Sequence, residues 1–161
     1  MFRQVLVPVE FSACGRLAAR HACDMVRAIG GTVTLLHVLE PSAAERSESA
    51  EPEFREAQVE EAQELLRQLG LFARRLPTLL VVPGVNGVAA AILEMAAQTN
   101  TELIMLGLHR QEGPGQGTLG KVVIQVLLGA GVPVQVTPCH PEPGAPERGW
   151  RGVLTERQRT T

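Results

Sequence analysis

Residues 5–39 read VLVPVEFSACGRLAARHACDMVRAIGGTVTLLHVL. The run Val5-Leu6-Val7-Pro8-Val9 is short, β-branched and without polar alternation, which predicts a strand buried on both faces of a parallel sheet. Ser12 is placed to cap a helix. Cys14, Leu17, Ala18, His21, Met25 and Ile29 follow at helical spacing, and Gly30-Gly31 supplies a stop, so a helix is predicted over 13–29. TVTLLHVL at 32–39 is again β-branched and apolar and ends before Pro41. The chain therefore opens with a β-α-β unit.

The same alternation continues outward. Residues 42–52, SAAERSESAEP, are small, charged and aperiodic, and read as a connection. Phe54, Ala57, Val59, Ala62, Leu65, Leu66 and Leu69 form a helical stripe that Gly70 ends. A strand is predicted over 76–82, a helix over 88–98 opened by Asn86 or Gly87, a strand with its core at 103–106, a helix over 119–128 and a last strand over 132–136. Nine alternating elements predict an α/β fold: an open five-stranded parallel sheet with helices on both faces. Ligands of such sheets bind beyond the carboxyl ends of the strands where the strand order reverses, which singles out Pro8, Val9, Glu10, Leu106 and Gly107.

Composition narrows the function classes. The chain has 161 residues, 45% hydrophobic, enough for one domain with a substantial core. A net charge of −2 and 20% charged residues give no footprint for nucleic acid or an anionic membrane. The opening MFRQVLVPVEFS lacks a signal-peptide pattern and no apolar run is long enough to span a bilayer, so a cytoplasmic location is expected. Cys14, Cys23 and Cys139 contain no C-x-x-C, and His21, His37, His109 and His140 show no metal-ligand spacing, so no metal site is expected. His37 reads as a core or rim histidine and Cys14 as a small buried side chain on the helix stripe. No catalytic set is visible.

One glycine-rich loop invites a nucleotide reading. GPGQGTLGKV at 113–122 contains G-x-x-x-x-G-K, one hydroxyl short of a phosphate-binding loop. It does not directly follow a strand, and Val122 stands where Ser or Thr would hold Mg²⁺, so kinase-type chemistry is rejected. Gly113, Gly115 and Gly117 are equally well explained by a surface turn.

VLVPVEFS, GTVTLLHVLEP, ELIMLGLHR and the closing PVQV together resemble the universal stress protein family over residues 2–137. The resemblance implies a Rossmann-like, adenine nucleotide alpha hydrolase-like fold. It also implies an ATP or other adenine-nucleotide site built on G-x-x-G-x(9)-G-[ST] after the fourth strand, with an Asp after the first. Gly107 and Gly120 take the first and third glycines. Arg110 replaces the second glycine, Lys121 the hydroxyl residue and Glu10 the Asp.

Each departure has a physical consequence. Arg110 adds a Cβ and a long side chain where ribose and phosphate would lie. Glu10 is one methylene longer than Asp. Lys121 is a cation near a helix N-terminus, where phosphate is already favoured. The expectation is a regulatory or binding module of the stress response with weak or absent ATP binding; the alternative is an ATP binder and slow ATPase in which Lys121 substitutes for the hydroxyl.

The resemblance further implies a homodimer in which the last strand, with Val132, Val134 and Val136, pairs with its twin, and an exposed β-branched edge supports this independently. Residues 138–161 are rich in proline, glycine and arginine and read as a tail after a domain of 1–137, with Trp150 a candidate contact for the body or a protein partner.

Overall fold

The computed structural model describes residues 1–40, 52–70, 77–108 and 119–138. Outside the described residues lie the 42–51 connection, Leu76, His109, Arg110, the glycines at 113, 115 and 117, and Cys139, His140 and Trp150 of the tail. The side chain of Phe54 falls outside them too.

The elements run β1 (Gln4–Pro8), α1 (Ala13–Arg27), β2 (Thr32–Leu39), α2 (Pro52–Gly70), β3 (Thr78–Pro83), α3 (Val88–Gln98), β4 (Leu103–Leu108), α4 (Lys121–Gly129) and β5 (Val134–Pro138). The strands form one five-stranded sheet in the order β3-β2-β1-β4-β5, and every pairing is parallel. The expected α/β architecture is what the chain adopts.

Alternation along the strands sorts the core into two layers. Val5, Val7, Val33, Leu35, Leu103 and Met105 pack on one face with Ala18, Ala22 and Val26 of α1 and Leu66 and Leu69 of α2. Leu6, Leu36, Ile104 and Leu106 pack on the other with Ala89, Ile92 and Ala96 of α3 and Val123 and Val126 of α4. Successive strand side chains point to opposite faces, so strands sandwiched between helices must be apolar throughout. Burying each such Leu or Val contributes about 1.5–3 kcal/mol.

Element ends differ from expectation for identifiable reasons. α1 stops at Arg27 rather than Ile29 because Ile29 and Gly31 both donate to the Val26 carbonyl, which tightens the last turn, and Gly30 then adopts φ +71°. α4 begins at Lys121 rather than Leu119, since Gly120 has extended ψ of 150° and serves as the cap residue. β4 runs on to Leu108, which puts Gly107 inside the strand. β5 begins at Val134 rather than Val132: Pro133 has no N–H to enter the ladder, although its carbonyl accepts from Ile104 at 3.1 Å. Val132 therefore precedes the strand, and Pro138, assigned to the tail by sequence, closes it.

The proposed edge valines also look inward. Val132, Val134 and Val136 are half-buried and pack against the α3/α4 layer of the same chain, so β5 presents its backbone, not these side chains, along the sheet edge.

Candidate functional site

The sheet order places the switch point between β1 and β4: the chain winds from β1 outward through β2 to β3, then crosses back to β4 and on to β5. Helices leaving β1 and β4 go to opposite faces and leave a crevice above the carboxyl ends of the strands. A cleft of about 310 Å³ occupies that position. Pro8, Val9, Glu10, Leu106 and Gly107, selected from sequence, all line it.

The β1–α1 turn gives the cleft its polar rim. Val9 extends the ladder by donating to the Leu36 carbonyl at 2.8 Å. Phe11 then takes φ +60°, a left-handed conformation uncommon for a bulky residue, and its ring packs on the α1/α2 core. Ser12 caps α1, its Oγ accepting from the Gly15 N–H at 3.1 Å while donating to Glu10 Oε1 at 2.9 Å. Glu10 is thereby tied to the helix cap by one carboxylate oxygen.

His37 completes this corner. Its Nδ1 lies 2.8 Å from the Val9 carbonyl oxygen, and its ring sits 4.5 Å from that of Phe11. A carbonyl only accepts, so Nδ1 is the donor in this contact.

Gly107 has a packing reason to be glycine. A Cβ there would lie 2.5 Å from the Cys14 carbonyl carbon and 2.7 Å from the Gly15 nitrogen, so its absence lets α1 approach β4. Gly15, also in the lining, would meet nothing nearer than 3.6 Å.

Two residues of the expected motif stand beside the cleft rather than in it. Gly120 and Lys121 are exposed and do not line it, whereas the next residues, Val122 and Val123, do. Gly120 makes no side-chain cap bond, and the first helical bond of α4 runs from Ile124 to Gly120, so the preceding N–H groups form an anion-favouring end beside the cleft. Arg110 lies outside the described residues.

Sequence reasoning left out Leu36, Val38 and Glu40 of the β2 end and Val88 and Ile92 of α3, all of which line the cleft. Leu36 and Val38 share a face by strand alternation, and Gly87, with φ +95°, opens α3 so that Val88 begins it. The strand and the helix that carry them are legible in the sequence, but the pairing of β1 with β2 brings Leu36, Val38 and Glu40 to the switch point, and the packing of α3 on the sheet brings Val88 and Ile92.

Cys14 is buried on α1, as expected of the helix stripe, and Cys23 of the same helix is buried too. Burial, then the neighbouring Asp24 carboxylate, pushes the Cys23 thiol pKa up. Among the described residues, no group of three His, Cys, Asp or Glu side chains is arranged to hold a metal ion, and no helix is long and apolar enough to cross a membrane.

The model of the universal stress protein family matches residues 1–138. A universal stress protein of Methanocaldococcus jannaschii is 25% identical over 139 residues, covering 84% of this chain and 82% of that protein. The solved structure of universal stress protein UspA from Lactobacillus plantarum superposes with a TM-score of 0.65 at 24% identity, covering 84% of this chain and 97% of that one. The universal stress protein of Archaeoglobus fulgidus, solved in complex with dAMP, gives a TM-score of 0.60 at 20% identity over 84% and 97% of the two chains. This chain belongs to the universal stress protein family.

Proposed function

We propose that the chain is a regulatory binding module of the stress response, acting in the cytoplasm, whose cleft takes an adenine-containing ligand and holds ATP weakly. The observation that carries this is the cleft itself, seated at the switch point between β1 and β4 with mostly apolar walls and the polar side chains of Glu10, His37 and Glu40. The dAMP complex of the Archaeoglobus relative supports the ligand class. Weak ATP binding follows from the motif: Arg110 and Lys121 replace a glycine and a hydroxyl residue that would contact ribose and phosphate.

Thermal melting with excess AMP, ADP and ATP tests this reading. A ligand at ~100 times its dissociation constant adds about 2.7 kcal/mol. A rise in melting temperature with AMP is expected, and none with any of the three at millimolar concentration would refute it.

The alternative, ATP held through Lys121 with slow hydrolysis, draws support from the position of Lys121 as the first residue of α4, next to the cleft residue Val122. Lys121→Ala should then weaken ATP binding with little change in melting temperature; equal ATP affinity in both proteins would remove that role.

We further propose a homodimer through the β5 edge. β5 ends the sheet, and α4 beside it exposes Ile124, Leu127 and Leu128, the last 84% accessible. A strand edge without a partner among the described residues, next to apolar side chains, is a surface that a second copy would cover.

A further inference from the structure

We infer that the cleft prefers an adenine nucleoside to the triphosphate, and that Glu40 sets this preference; the inference rests on the adenine-ligand reading above and goes beyond it.

The polar side chains of the described lining are Glu10, His37 and Glu40, and no Lys or Arg is among them. All three offer acceptors. One oxygen of Glu10 is engaged by the Ser12 hydroxyl, which leaves the other. His37 donates from Nδ1 to the Val9 carbonyl, so the Nε2 of the neutral tautomer is its acceptor. Glu40 follows the last residue of β2, is exposed, and its carboxylate accepts only.

A rim of acceptors recognises a ligand that brings donors. Adenine carries an exocyclic amine and the ribose of a nucleoside three hydroxyls, whereas a triphosphate chain brings acceptors and several negative charges. Val38, Val88 and Ile92 supply an apolar slot suited to a planar base. At about 310 Å³ the cleft lies near the lower end of small-molecule sites, roughly 300–1,000 Å³. The anion-favouring start of α4 and Lys121 oppose the carboxylates, but Lys121 stands outside the lining, whereas Glu10 and Glu40 are part of it.

Calorimetric titration of the full chain with adenosine, AMP and ATP in the absence of divalent cations tests the inference, with Glu40→Gln and Glu10→Gln run alongside and the fold of each variant checked by circular dichroism. Affinity is expected to fall from adenosine to ATP. Glu40→Gln should shift the adenosine-to-ATP ratio of dissociation constants toward ATP by about fivefold, the size of one partly screened charge interaction. Raised salt should narrow the same ratio. ATP binding more tightly than adenosine, or a Glu40→Gln protein with an unchanged ratio, would overturn the inference and leave the adenine site standing. Binding of none of the three would overturn both.

Discussion

Gly107 of β4 lies against the first turn of α1 so closely that a Cβ would sit 2.5 Å from the carbonyl carbon of Cys14. The contact is backbone to backbone, so no side chain can swing away to make room. This glycine of the cleft lining thus sets the distance between helix and sheet there. Gly107→Ala is expected to destabilise the fold by about 1–3 kcal/mol through overpacking. Urea denaturation measures this directly, and Gly15→Ala, where a Cβ meets only ordinary contacts at 3.6 Å, is the control expected to cost much less.

The Ser12 hydroxyl joins the α1 cap to the cleft rim, since it accepts from Gly15 N–H and donates to Glu10. Ser12→Ala should lower stability by about 1 kcal/mol, the usual cost of losing a cap. It should also weaken adenosine binding by releasing Glu10, whereas Ser12→Asp should restore the cap without restoring the donor. Equal adenosine affinity in wild type and both variants would separate the cap from the site.

Cys23 gives the alkaline limb of stability a defined sign. Burial raises its pKa above the ordinary 9.0, so the native state holds the thiol proton more tightly than the unfolded chain. Stability from this group is complete below pH 9.0 and is lost as pH rises through the higher native value. Cys23→Ala should flatten the fall in stability above pH 9.0, and an unchanged slope would contradict the assignment.

Association through the β5 edge predicts that Leu128→Glu, which puts a charge at an exposed position of α4, shifts the protein toward monomer with little loss of monomer stability. Sedimentation velocity reads the outcome, and an undiminished dimer would exclude this surface. Val134 makes a poorer probe because its side chain packs inward, so Val134→Lys would damage the core as well as the edge.

Much of this architecture is legible in the sequence because buried parallel strands must be apolar on both faces. Val5-Leu6-Val7 and Leu35-Leu36 reveal themselves by that requirement alone, and Ser12 and Gly30 mark the ends of α1 by their capping chemistry. Strand order is not written locally. Nothing in residues 32–39 shows that β2 pairs with β1 in a register that sets Pro8 beside Leu36, so Leu36, Val38 and Glu40 could not be joined to Glu10 before the sheet was known. Gly107 was found as a motif glycine, yet its packing role against Cys14 depends on a contact between residues far apart in the chain. Gly120 and Lys121 were found by motif spacing, and the fold sets them beside the cleft, with Val122 and Val123 turned to it.

The cleft between β1 and β4 is proposed to bind an adenine ligand. The most direct measurement is calorimetric titration of AMP into the wild-type chain and into Val88→Trp, whose indole would fill the apolar slot from the first residue of α3. Saturable binding by the wild type and a loss of at least about tenfold in the variant, about 1.4 kcal/mol, are expected. Equal affinity in the two proteins would place any AMP site elsewhere, and no binding by the wild type at millimolar AMP would contradict the claim outright.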